Sequence, residues 1–184
     1  MNDMKKAAVL MDDGFEELEA MGPIALLRRA GVDVDLVAAN NKDEVTGRFG
    51  VTYSPAKKMK DYDFSQVDAL IIPGGPHYQK LQSNPAVLEV IKSVNANPEQ
   101  ILGAICAAPT ILGHLGLLKD KDYTCFTSMN EDFGGNYVDV KTVTDGNLVT
   151  GRSAAASIEF AYALMEKLLG AERTAEVKAS IYDK

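Results

Sequence analysis

Histidine and cysteine are scarce in this chain, with two of each among 184 residues. Cys106 and Cys125 lie in different expected elements and lack the spacing of a disulfide framework, a usage that suits a reducing cytosol and predicts a cytoplasmic protein. No apolar run approaches the roughly 18 residues of a membrane span, so no membrane partner is expected. The opening residues, Met1-Asn-Asp-Met-Lys-Lys6, run straight into a strand pattern without an apolar signal region. Net charge is −7 and the basic residues are scattered. Nucleic acid is therefore not an expected partner, because binding phosphates calls for a concentrated basic face. Repeats and low-complexity tracts are absent, as are a Gly-rich phosphate loop and any His/Cys/carboxylate cluster at metal-ligand spacing. Neither a metal nor a cofactor is expected.

What is present is enough apolar residue, 46%, for one well-packed domain over 1–184 without a disulfide or metal staple. Short apolar runs alternate with amphipathic ones, the pattern of a parallel α/β sheet. Strands are predicted at Lys5–Met11, Val32–Ala38, Val67–Ile72, Ile101–Ile105, Tyr123–Phe126, Val138–Thr144 and Leu148–Thr150. Helices are predicted at Phe15–Ala30, from Asn84-Pro85 onward, after Cys106, from Ser153 or Ser157 to Leu169, and from about Glu172. Pro23 should kink or locally adjust the first helix, and residues 45–54 suggest a short hairpin or an excursion around Gly47 and Gly50. The resulting fold class is α/β, a doubly wound and mostly parallel sheet sandwiched by helices. Ligands of such folds bind at the C-terminal strand ends. Three segments fall there: Asp12–Glu19, Pro73–Tyr78 and Cys106–Pro109.

Cys106 ends an apolar strand and precedes the small residues Ala107 and Ala108, which places the thiol on a strand-to-helix elbow. Helix N–H groups and the dipole there should lower its pKa. The same run also fits a buried structural cysteine. Gly14-Phe-Glu-Glu-Leu-Glu19 brings three carboxyls to a helix start, where the dipole alone accounts for Glu16 and Glu17. Glu16 and Glu19 share a helical face, and a protonated carboxyl near Cys106 can donate to a thiolate and shuttle protons. Pro73-Gly74-Gly75 is an ordinary turn or one arm of an oxyanion site, with the Gly75 N–H and the N–H after Cys106 as donors. His77 is the histidine placed to serve as an acid–base group, although a solvated loop position fits it equally. His114 is assigned to packing or a helix end, and Cys125 to a strand core.

Together, Gly14-Phe-Glu-Glu-Leu-Glu19, Arg28-Arg29-Ala-Gly31, Ile72-Pro-Gly-Gly75, Ala104-Ile-Cys-Ala-Ala-Pro109 and Glu159-Phe-Ala161 resemble the ThiJ/PfpI superfamily, in its parkinsonism-associated protein deglycase branch. The resemblance implies a flavodoxin-like fold and a homodimer. It makes Cys106 the nucleophile of a nucleophile elbow, Glu19 its protonated partner, and Gly75 and Ala107 the oxyanion donors. Arg28 and Arg48 match basic positions lining the site and interface. Ala107 stands where the protease-like branch has histidine, and Phe126 where the deglycase branch often has one. The implied activity is cofactor-independent chemistry on a small reactive carbonyl, an α-oxoaldehyde, of glyoxalase or deglycase type. The alternatives are a redox-responsive stress protein sensing oxidants through Cys106 and, after it, a peptidase or amidase.

Overall fold

The computed structural model describes residues 3–184. In chain order, β1 (Lys6–Met11) leads to α1 (Glu17–Arg29) and β2 (Asp33–Ala38). The short strands β3 (Val45–Thr46), β4 (Thr52–Tyr53) and β5 (Lys57–Lys58) follow. Next come β6 (Ala69–Ile72), α2 (Tyr78–Gln82), α3 (Pro85–Ala96), β7 (Ile101–Ile105) and α4 (Ala108–His114). The chain continues through β8 (Asp122–Tyr123), β9 (Asn136–Tyr137), β10 (Thr142–Asp145) and β11 (Leu148–Gly151) to α5 (Ser157–Leu169) and α6 (Ala171–Ser180).

Seven strands form the central sheet in the order β10-β11-β7-β6-β1-β2-β5. Every pairing in it is parallel except that of β10 with β11, which turn through Asp145-Gly146. Period-two alternation feeds two cores, so the near-continuous apolar strands are covered on both faces. Ala7, Val9 and Met11 of β1 pack with α1 and α5 residues such as Leu27, Phe160 and Leu164. Ala8 and Leu10 pack on the other face with Val87 and Ile91 of α3 and Ile111 of α4. This is the α/β, flavodoxin-like sandwich expected from the alternation.

The local departures have physical reasons. Two segments expected as single strands are shorter or broken. Of Tyr123–Phe126 only the start is strand, in a two-stranded parallel ribbon of β8 and β9 outside the main sheet. Of Val138–Thr144 only the end is strand, because the chain leaves the β8–β9 ribbon after Tyr137 and joins the central sheet only at β10. Helix α1 runs without interruption through Pro23. Strand β5 and helix α2 are too short to leave a periodic pattern in sequence.

Candidate functional site

Strand order places β2 on one side of β1 and β6 on the other, so the loops after β1 and β6 diverge at a switch point. Those two loops are tied together, with the Glu16 N–H donating to the Gly74 carbonyl at 2.8 Å and the His77 N–H to that of Gly14 at 3.2 Å. β7 lies beside β6 and delivers Cys106 to the same edge. A cavity of about 550 Å³ opens over this edge, and Glu16, Glu19, Arg48, Gly75, Cys106 and Ala107 line it.

Cys106 is an elbow in the backbone. Its φ of 64° is left-handed, an uncommon conformation for a residue with a Cβ and a place to look for function. The elbow is clamped on both sides: its N–H donates to the Gly151 carbonyl, and its carbonyl accepts the Phe126 N–H, each at 2.8 Å. Glu19 sits in the first turn of α1 with no solvent exposure. Its Oε2 accepts the Gly74 N–H at 2.7 Å. Oε1 is buried without a partner of hydrogen-bond geometry, although the Cys106 thiol is near enough to influence its acidity. Gly74 separates the two groups, and a Cβ there would fall 2.5 Å from Glu19 Oε2 and 2.8 Å from the Cys106 Cβ. Only glycine lets the carboxyl and thiol approach across that strand end.

Burial is the largest influence on Glu19, and with the neighbouring Glu16 it pushes the carboxyl up to about 8. Glu19 therefore keeps its proton at neutral pH. The expected lowering of the Cys106 thiol is not met. Burial pushes the thiol up, the nearby Glu19 carboxyl adds to the rise, and the Ala107 N–H only partly opposes them. Desolvation outweighs the field of the seven-residue helix α4. Among the described residues, neither the Gly75 nor the Ala107 N–H bonds to a backbone acceptor; the Ala107 N–H faces the Cys106 thiol, and both residues line the cavity. Glu16 caps α1, its Oε2 accepting the Glu19 N–H at 2.9 Å, and so orients the turn that carries Glu19.

Two of the sequence candidates lie elsewhere. His77 does not reach the cavity: its ring is wholly buried, Nδ1 accepts the Asp12 N–H at 3.0 Å, and Nε2 is bonded to the Pro73 carbonyl at 2.6 Å. Burial holds it down to about 4, a neutral clasp between the two loops rather than an acid–base group. Arg28 also stays out of the cavity, donating instead to the Val34 carbonyl at 2.7 Å from the last turn of α1. Arg48 does line it, on the turn between β3 and β4. Glu17 Oε1 pins that turn by accepting the Phe49 N–H at 2.7 Å. His114 ends α4 and pairs with Glu131 at 3.1 Å, as its helix-end assignment required. Sequence reading missed Phe49, Gln79, Met129 and Ser153–Ala155 as further lining. Ser153, Ala154 and Ala155 follow β11, one more strand end on the same edge, and the parallel-sheet rule was a signal that could have found them.

The model of the DJ-1/PfpI family matches residues 5–167. The chain belongs to that family. A Danio rerio protein, Parkinson disease protein 7 homolog, is 32% identical over 183 residues, covering 96% of each chain. The glutathione-independent glyoxalase DJR-1.2 of Caenorhabditis elegans is 32% identical over 178 residues, covering 95% of this chain and 94% of that one. Among solved structures, Drosophila melanogaster DJ-1beta superposes with a TM-score of 0.91 at 30% identity, covering 98% of this chain and 99% of the other. In this DJ-1/PfpI member no helix of the described residues is long and apolar enough to cross a membrane. The described residues also contain no group of three or more His, Cys, Asp and Glu arranged to hold a metal.

Proposed function

We propose that this family member is a cofactor-independent cysteine enzyme acting on α-oxoaldehydes, without glutathione. The observation that carries the reading is the buried Glu19 carboxyl packed across Gly74 from Cys106, in a cavity that Gly75 and Ala107 also line.

In the reactive state the thiol and carboxyl hold one proton between them. The Cys106 Sγ adds to the aldehyde carbon of R–CO–CHO as Glu19 takes the thiol proton. The carbonyl π pair moves to oxygen, where the Gly75 and Ala107 N–H groups stabilise the charge until Glu19 returns the proton. Glu19, again a carboxylate, removes the C1 proton to form an enediolate and delivers it to C2, while the C1 hydroxyl proton passes to the C2 oxygen. The resulting thioester, R–CHOH–CO–S, is hydrolysed by water to the 2-hydroxy acid and the free thiol. Methylglyoxal would yield lactate. Removal of such adducts from amines or thiols, the deglycase version, would use the same sulfur attack.

Oxidant sensing finds less support, because peroxide reacts with the thiolate and burial pushes this thiol up. The peptidase reading lacks a histidine base, since Ala107 follows the nucleophile and both nitrogens of His77 are engaged. A homodimer is part of the proposal, supported by exposed Leu18 and Met21 on α1, Ile158 on α5 and Val51 beside β4. Those helices cross where a Cβ on Gly22 would touch Ser157 at 3.2 Å, which brings the apolar residues of both onto one face.

The test is lactate formation from methylglyoxal by wild type and Cys106→Ser, with glutathione omitted. Lactate from wild type alone supports the reading; equal turnover by both proteins, or none by either, defeats it. Sedimentation as a monomer at micromolar concentration would remove the dimer.

A further inference from the structure

Methylglyoxal has five non-hydrogen atoms, and the cavity over Cys106 is far larger than it needs. Its volume is about 550 Å³. The chemistry uses only the polar groups at the ends of β1, β6 and β7. Much of the remaining wall is apolar, including Phe49, Pro76, Phe126, Met129 and Ala154. Phe126 is 43% exposed and Phe49 70% exposed, so two aromatic rings flank the nucleophile without being covered by the rest of the chain. The Arg48 guanidinium lies 4.9 Å from the Phe49 ring centroid, so an aromatic face already accompanies the cation at the cavity wall.

Phe126 is the informative member of this wall. Its N–H donates to the Cys106 carbonyl at 2.8 Å, so its backbone is joined directly to the nucleophile's own peptide group. Phe126 and Cys106 line the same cavity, so a group attached to the sulfur shares that space with the Phe126 residue. A concave apolar wall with a few convergent polar groups at one side is the usual form of a site for a small molecule with an apolar body and one reactive polar end.

We propose that the substrates preferred at this site are α-oxoaldehydes with a bulky apolar substituent, aryl above all, and that Phe126 is the specificity determinant that reads the substituent. The inference rests on the function proposed above and specifies its R group. That group takes no part in the bond changes: sulfur still adds to the aldehyde carbon, and the proton still moves from C1 to C2. Phenylglyoxal is therefore converted, with one water, to mandelate. Its ring replaces water against Phe126 and Met129, while the methyl of methylglyoxal leaves most of that wall wet.

The experiment compares initial rates of mandelate formation from phenylglyoxal with those of lactate formation from methylglyoxal, in wild type, Phe126→Ala and Phe126→Leu. Wild type should show kcat/KM at least about tenfold higher for phenylglyoxal, the scale set by burying a larger apolar group in a fitted pocket. Phe126→Ala should lose about tenfold on phenylglyoxal and less than about threefold on methylglyoxal, with Phe126→Leu between. The change in ratio between proteins cancels the intrinsic reactivity of the two aldehydes. Because Phe126 is partly exposed, these variants are expected to fold. Turnover of methylglyoxal that depends on Cys106 but shows no aryl preference, or an equal loss on both aldehydes in Phe126→Ala, overturns this inference and leaves the function standing. No turnover of either aldehyde by wild type overturns both.

Discussion

Glu19 and His77 are both buried, ionisable and held at the switch point between β1 and β6, yet the structure treats them in opposite ways. His77 has both ring nitrogens bonded to backbone groups of the two loops. Glu19 has one oxygen bonded to the Gly74 N–H and the other left without a partner. A buried polar group with all partners in place is a rivet, and a buried group missing one is costly unless something else repays it. Here that deficit lies at the cavity wall, beside a sulfur on a left-handed elbow. The contrast separates stability from chemistry within one loop pair.

The sharpest break in that contrast is removal of the nucleophile. Cys106→Ser should lower kcat/KM for α-oxoaldehydes by about four orders of magnitude or more, as loss of a covalent nucleophile does, with a melting temperature close to wild type. Glu19→Gln keeps the shape and removes the proton carrier, so it should cost about 10² to 10⁴ in kcat. Turnover near the wild-type rate in Glu19→Gln would show that the carboxyl does not move protons.

pH dependence sharpens the comparison. The reactive state has one proton fewer than the fully protonated pair, so wild-type kcat/KM should rise with pH through about 8, where Glu19 titrates. A profile flat across that range would break the assignment. Stability responds in the opposite sense. Because the folded value for Glu19 lies above its unfolded value of 4.5, its contribution is greatest below 4.5 and declines as pH rises toward 8. Glu19→Gln should therefore gain melting temperature relative to wild type as pH increases over that interval.

Gly74→Ala drives a Cβ between the two groups and should cost about 2 kcal/mol of stability, as overpacking does, together with most of the activity. His77→Gln should cost about 2 kcal/mol, because the Asp12 N–H and the loop clasp lose a fitted partner. Its rate should stay within about threefold of wild type, the outcome expected of a group outside the reaction. Histidine also carries its own pH signature: with a folded value of about 4 against 6.5 unfolded, its stabilisation is present above 6.5 and is lost as pH falls toward 4. His77→Gln should flatten the acid loss of melting temperature in that window. A tenfold fall in turnover in this variant would return His77 to the mechanism.

The strand runs at Lys6–Met11, Ala69–Ile72 and Ile101–Ile105 were visible in sequence because both faces of a central parallel strand are buried. So was the elbow at Cys106, since a thiol between an apolar strand and small residues has few other places to be. What sequence could not show was the direction of the thiol's acidity. A helix start argues for lowering it, and only the structure shows that burial and Glu19 win. His77 misled for a related reason: proximity to Gly75 along the chain says nothing about which way an imidazole turns. The wall formed by Phe49, Met129 and Ala154 was hidden because it comes from three loops distant in sequence.

The central claim is that Glu19, unlike His77, is held protonated and poised against Cys106, and it is tested most directly by titrating that carboxyl itself. Glu19 would be followed by 13C NMR of glutamate-labelled protein, assigned by difference from Glu19→Gln. The account predicts a midpoint near 8. A midpoint in the ordinary carboxylate range, near 4.5, would contradict it.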